Sequence, residues 1–458
     1  MISTAACCAG WWDRTGPGGP LMSASPISHG RALAYGTGSI AAASFVVAPQ
    51  LLLLFFLTET LSVPPAWAGL AVLVPKVWEF LFDPAVGMLS DRTKRRSGRR
   101  WPWLLAGALL LPPSFMVLFA PPVLEDWRLT LGFVTLAFLV STSAYSIFAI
   151  PFVTLPGEVS DDHAQRTRVV AWRMAFVGVG VLAAGGLAPA LVQAGGGGRA
   201  GFAQMGVVLA LLCAAVMLLA ALAARGFRQH RPPVARGPEN PLRHLMANRP
   251  YRWLWITYVV QMVAIAVTAA LLPYAVQHVM KAPGEMVAVL FVSLTAGSIL
   301  TMPLWVRIRA RLGSLPAYLL ATLVCASGTA TLYAVTAQDV VLACIATFLA
   351  GVGQVGQQLL PLTLLPAATE AAEGDAGARH AGLFAGVWVA GEKLGMALGG
   401  ALAAMMLGVV GYVEGGGAQA AGTVSVIPVL FALLPAAILL FSLLPLRHLT
   451  RHSPGLGG

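Results

Sequence analysis

Twelve apolar stretches, each long enough to cross roughly 30 Å of hydrocarbon, constrain this chain more than any other feature. They lie at about 33–57, 68–90, 103–123, 129–152, 169–194 and 202–224, then at about 253–276, 286–306, 315–336, 340–365, 381–408 and 424–445. Of the 458 residues 58% are hydrophobic and only 10% charged, against about 25% charged in soluble domains. In lipid each backbone N–H and C=O must be satisfied within the protein, which makes such runs helices. The expected class is all-α integral membrane, with six helices over 31–224, a central loop over 225–252 and six more over 253–445. Residues 1–30 read as a disordered extension without the apolar core of a signal peptide, with Met22 as an alternative start, and 446–458 read as a tail.

Lysine and arginine are distributed one-sidedly. Of 29, 23 fall at the termini, in the central loop and in alternate loops; Arg128, Arg199 and Lys281 lie on the other side, and Lys76, Arg173 and Lys393 within or at the edge of spans. Cytoplasmic loops accumulate these residues, so both ends are expected in the cytoplasm, with the spans in the inner membrane. The net charge of +11 does not indicate nucleic acid, because the basic residues sit between spans instead of clustering on one soluble face. Anionic lipid headgroups are the expected partner. The five cysteines show no metal or disulfide spacing and read as packing residues.

An ionisable side chain in mid-membrane costs several kcal/mol and marks function by default. Lys76, Glu79 and Asp83 of the second run are spaced i, i+3, i+7 and share one helical face. Two carboxylates so close in low dielectric cannot both stay ionised unaided, so a proton or a cation is expected there. Lys393, deep in the eleventh run, is a counter-charge that would compete with that cation. Glu392 lies about 100° around the helix from it and is expected at an interface or among lipid headgroups. Arg173, near the start of the fifth run, either donates to substrate oxygens or snorkels to the cytoplasm. Gln50, Tyr145, Ser146, Tyr258, Gln261, Gln354 and Gln357 are polar within spans; each is a cavity candidate or an interhelical hydrogen bond.

The most specific string is DPAVGMLSDRTKRRSGRRWPW, Asp83 to Trp103. Pro84 and Gly87 allow bending or close approach, Asp91 can pair across helix ends, and Arg92, Arg99 and Arg100 suit helix C-termini and anionic headgroups. Its Gly87-to-Arg100 part resembles the cytoplasmic gate loop of the major facilitator fold, and PLWVRIRARLG is a worn copy in the second half. Two parallel six-helix halves are the architecture of that fold. Taken with YGTGS, IPFVTLPGEVSDDHAQRTRVVAWR, the Gly-Ala-Arg at 377–379 and EKLG, the string resembles the glycoside-pentoside-hexuronide:cation symporters, whose best-known member is melibiose permease. The resemblance implies Glu79, Asp83, Ser146 and Lys393 as the cation-coupling set, with Tyr145 and Arg173 in the sugar cavity. Two departures bear on substrate and ion. Phe82 stands where sodium-using members present an Asn, which favours H+ over Na+ as the coupling ion. Ser39 or Ile40, and Ala149, stand where sugar porters carry acids, which leaves a sugar or glycoside competing with a lysolipid or other amphiphile.

The expected activity is secondary active symport of a small organic solute, by a monomer with no cofactor. The competing reading is a membrane assembly or sensor protein on the same fold. No Ser-His-Asp, Cys-His, zinc or phosphate-loop pattern suggests an enzyme, and all eight histidines lie in loops or at span ends, where a solvated role is the ordinary one.

Overall fold

The computed structural model describes residues 27–158, 163–227, 248–335, 339–373 and 375–446. Most of the expected N-terminal extension, most of the central loop and nearly all of the tail lie outside them. Among the described residues twelve helices are long and apolar enough to cross a membrane: α1 His29–Thr60, α2 Pro65–Lys94, α3 Trp101–Phe119, α4 Trp127–Gly157, α5 Gln165–Ala194, α6 Gly198–Arg225, α7 Arg249–Val279, α8 Glu285–Leu312, α9 Ser314–Ala334, α10 Val340–Leu365, α11 Gly386–Val409 and α12 Ala421–Leu446. The apolar run expected to reach residue 123 ends as a helix at Phe119. Pro121 and Pro122 follow, and a residue before proline is disfavoured in the helical region.

The two halves repeat one packing scheme. In the first, α3 packs on α4 and α6, α2 on α4 and α1 on α5; in the second, α9 packs on α10 and α12, α8 on α10 and α7 on α11. The repeat extends to backbone detail. α1 ends in a π-turn at Phe56–Thr60 and α7 in one at Ala275–Val279. Each is followed by a residue with positive φ, Ser62 at 53° and Lys281 at 50°, and then by a proline, Pro64 and Pro283. The same offset of 219 residues relates Pro84 of α2 to Pro303 of α8. Single π-turns inside helices recur at functional positions, and this pair closes the two first helices of the repeat.

An even number of spans puts both described ends of the chain, and the gap between α6 and α7, at one end of the bundle, here the basic end. Among the described residues, the close approaches between the halves lie between the middle and the opposite, far end. There Gly185 of α5 lies against the Phe291 ring of α8, and α5 touches α8 mostly through its far third. α2 and α11 run antiparallel, with Ala66 beside Gly408, Gly69 beside Ala404 and Val72 beside Gly400. Small residues are what let transmembrane backbones approach this closely, and the same register carries Glu79 to a position opposite Lys393.

A Cβ on Gly69 would come within 2.7 Å of the Ala404 Cβ, an atom fixed to its own backbone. Overpacking of this kind costs about 1–3 kcal/mol. Gly69→Val should therefore shift the population toward a state in which α2 and α11 part at the far end. Faster thiol labelling of a Val72→Cys reporter from that side measures the shift.

Candidate functional site

Halfway along α2, Glu79 is sealed, with 1% of its side chain exposed. Lys76, one turn earlier, gives it a 3.0 Å bond to Oε2, and Lys393 of α11 a 2.7 Å bond to Oε1. The Lys393 ammonium is shared with Asp83 Oδ2, one turn further along α2. Two ammonium groups thus balance two carboxylates. Beside the expected counter-charge of Lys393, Lys76 brings a second ammonium to the pair from within α2. Its ammonium also lies 5.8 and 5.6 Å from the Phe45 and Phe138 ring centroids, where ring quadrupoles favour a cation.

The carboxylates differ in access. Asp83 and Lys393 keep 16% and 24% of their side chains exposed, and Asp83 Oδ1 has no hydrogen-bond partner. Both oxygens of Glu79 are engaged. Glu79 is therefore the acid that meets both lysines, while Asp83 meets Lys393 alone.

Around this core the aromatic residues of the first half form a wall. Tyr145 stacks on Phe45 at 4.8 Å and lies 5.9 Å below the Lys393 ammonium. Arg173 is buried, at 9% exposure, with its guanidinium 4.6 Å from the Phe152 ring centroid and its Nε unpartnered. Snorkelling to the surface does not describe it. Ser146 Oγ and Ser39 Oγ are buried without partners, and no contact joins Ser146 to either acid among the described residues. Phe82 stacks on Trp78 and brings no oxygen to the site.

In the second half the candidates separate. Gln357 is buried with both amide atoms unpartnered, Gln354 is half-buried, as is Gln50 in α1 of the first half, and Tyr258 stacks on Trp388 at 4.4 Å. Of the two readings of Gln261, a cavity residue or an interhelical hydrogen bond, the fold gives the second: its amide donates to Thr322 at 3.0 Å and Ser442 at 3.2 Å and accepts from Tyr318 at 2.7 Å, which ties α7, α9 and α12 together. Of the two alternatives for Glu392, an interface or lipid headgroups, the fold gives the first: it accepts a hydrogen bond from Tyr258 of α7, because the 100° turn that takes it off the Lys393 face points it at that helix.

At the basic end of α2, Arg100 pairs with Asp91 and donates to Ser90 Oγ at 2.9 Å. Gly98, at φ 70°, ends the helix and lets the chain double back for that pairing. Arg92 and Arg99 are exposed. Gly87 is not a point of tight approach: the nearest atom to a Cβ there is Ile150 Cγ2 at 3.9 Å.

A balanced lysine–carboxylate set between two repeated six-helix halves narrows the comparison to known carriers. The model of the MFS/sugar transport protein family matches residues 34–450. The chain belongs to that family. The inner membrane symporter YicJ of Escherichia coli strain K12 is 27% identical over 431 residues, covering 92% of this chain and 91% of its own. The glucuronide carrier protein homolog of the same organism is 24% identical, covering 83% of each chain. Among solved structures, a bacterial homolog of the human lysosomal transporter Spinster, inward-facing and unoccupied, superposes with a TM-score of 0.64 at 12% identity, over 93% of this chain and 96% of that one. At that identity the likeness is one of fold. The chain is thus a multi-pass membrane protein of a transporter family.

Sequence reading missed the second polar cluster between the halves. At the far end the His278 ring meets the Tyr412 hydroxyl, which also reaches Glu59. The signal was available: Glu59 and His278 occupy equivalent positions of the 219-residue repeat.

Removing one partner of a buried ion network leaves an uncompensated charge and costs about 3–5 kcal/mol. Lys393→Met should accordingly lower the melting temperature of the purified protein. Adding Asp83→Asn should recover part of the loss, because Lys76 still answers Glu79 and the other carboxylate is then neutral.

Proposed function

We propose that this protein is a secondary active symporter of the inner membrane, with both termini cytoplasmic, that couples uptake of a small organic solute such as a sugar or glycoside to entry of a proton. The observation that carries the proposal is the shared Lys393 ammonium. It is the charge of the second half that holds both carboxylates of the first. A proton on Asp83 removes one of its two anchors. The halves, held together at mid-membrane by that lysine, then have less charge opposing their separation, as alternating access requires.

A proton suits the site better than sodium. Sodium wants several hard oxygen ligands at once; here Glu79 has both oxygens committed, Phe82 supplies none, and Asp83 Oδ1 alone is unengaged. Arg173 and Gln357 bring buried polar groups without partners, the kind that a polar solute satisfies on binding. The name of the glucuronide carrier homolog is consistent with a solute rich in oxygen, to which an arginine donates well. Lipid headgroups are the remaining partner, the solute needs no cofactor, and one chain supplies the whole site.

A thermal-shift screen of the purified protein against sugars, glycosides and lysolipids, with and without sodium, should yield a sodium-independent hit among the glycosides, since a ligand of the folded state stabilises it. In vesicles under an imposed proton gradient, concentrative uptake of that hit should be lost in Glu79→Gln plus Asp83→Asn while facilitated equilibration persists. Full concentrative uptake by the double variant would refute the coupling role.

A further inference from the structure

Apart from tyrosines and cysteines, six ionisable side chains lie more than five residues from either end of a described span: Lys76, Glu79, Asp83, Arg173, Glu392 and Lys393. With all six ionised their charges sum to zero. They also sum to zero within each half, since Lys76 and Arg173 equal Glu79 and Asp83 in the first and Lys393 equals Glu392 in the second. The contacts divide them differently. Glu79 and Asp83 take Lys76 and Lys393, which leaves Arg173 and Glu392 without an ion-pair partner among the described residues. The Arg173 guanidinium stands over the Phe152 ring with Nε unpartnered, and its electrostatic neighbours are Tyr35 and Tyr145. Glu392, half-buried against α7, accepts from Tyr258, and the cation acting on it is Lys393, already committed to the two acids of α2.

An uncompensated charge in the low-dielectric interior is costly, so the forms of a carrier that exchange access readily are those whose interior is neutral. The empty form of this chain meets that condition. A proton on Asp83, the coupling ion of the proposed cycle, takes the sum to one positive charge, and a neutral solute leaves it there. A solute with one negative charge returns it to zero. The same anion without the proton leaves one negative charge. Only the empty form and the form holding both proton and anion are neutral, and that is the condition for tight coupling, because neither ligand then crosses alone.

We infer that Glu392 sets the charge of the solute: the protein carries an organic anion with one negative charge, received by Arg173, together with one proton. Glu392 does not touch the anion. It acts through the sum, because without its charge the empty interior would be positive and an anion would bind with no proton. The free amide of Gln357, one turn before a Leu360 packed in one core with Tyr258 and Trp388, is left for the uncharged oxygens of the solute. The other titratable groups facing these charges are Tyr35 and Tyr145 beside Arg173, Tyr145 again beside Asp83 and Lys393, and Tyr258 beside Glu392, with Tyr318 of α9 behind it. A neutral tyrosine alters none of the sums, and α10 adds Cys344 alone. The inference rests on the proton symport proposed above and names the class of its solute.

The test compares methyl β-D-glucuronide, an anion, with uncharged methyl β-D-glucoside on the purified protein in lipid nanodiscs. Calorimetry reads affinity, and an indicator dye in weakly buffered solution reads proton uptake between about pH 5 and about pH 8, where perturbed carboxylates titrate. The glucuronide should bind roughly tenfold more tightly, the difference between a charge-assisted and a neutral hydrogen bond. It should also take up close to one proton per molecule bound, so that its affinity falls about tenfold per pH unit over the range of uptake. Glu392→Gln, which still accepts from Tyr258, should bind the glucuronide with no proton uptake and an affinity indifferent to pH. Glu392→Asp, which keeps the charge, should restore the uptake. A parent that binds the glucoside as tightly as the glucuronide, or binds the glucuronide without taking up a proton, overturns the inference with no variant needed, as does proton uptake unchanged by Glu392→Gln. Each of these leaves symport itself in place. Binding of neither compound overturns the inference together with the glycoside reading beneath it.

Discussion

The rest of the structure depends on balancing four charges in a medium that tolerates none. Glu79 and Asp83 would be too costly as a bare pair in mid-membrane, and Lys76 alone neutralises only one of them. The fourth charge comes from the other half. Placing it there means that the cheapest arrangement of charge is also an arrangement of the two halves, because Lys393 reaches the acids only while α11 lies against α2 in the observed register. The small residues along that seam, Gly69, Gly400 and Gly408, with Ala66 and Ala404, are thus part of the electrostatics. They set the depth at which the lysine arrives.

The twelve spans and the membership of Glu79, Asp83 and Lys393 in one site were legible in the sequence for a single reason: lipid makes an apolar run or a buried charge so consequential that position alone carries information. Where the energetic stakes are lower, legibility falls. Gln261 and Gln357 are both glutamines inside spans, and nothing in their neighbours distinguishes them. Only the fold shows that Gln261 is enclosed by Thr322, Ser442 and Tyr318 while Gln357 has no partner. For Glu392, helical geometry says only which way the residue does not face, and the choice between an interface and lipid headgroups is set by tertiary packing. The i, i+3 spacing of Lys76 and Glu79 shows that the two can meet, and the fold adds that Lys393 reaches the same carboxylate from the other side.

The two halves are alike in scaffold and unlike in chemistry. Contacts, π-turns and the prolines of α2 and α8 repeat at one offset, but the positions of the second half that correspond to Glu79 and Asp83 are Ser298 and Met302. Charge in the acidic seam comes from α2 and its answer from α11, which is not the repeat partner of α2. The charged site is thus asymmetric on a symmetric scaffold, with its carboxylates in one half and Lys393 in the other. At the far end the repeat is used differently. There the equivalent residues Glu59 and His278 have diverged into an acid and a base that meet through one tyrosine.

The mid-membrane and far-end clusters are joined by α11. Lys393 lies on that helix, and Tyr412 follows its end at Val409; at 1.5 Å per residue the sixteen residues from Lys393 to Val409 span about 24 Å. A helix of that length moves as a body, and its two ends are held to the first half by different contacts: Lys393 by Glu79 and Asp83, and the connection after Val409 by the Tyr412 bond to Glu59. Releasing either end lowers the cost of releasing the other, since both restrain the same displacement of α11 from the first half. Coupling of this kind needs no wire of residues between the sites. It needs one rigid element whose position both sites bias, and α11 is that element.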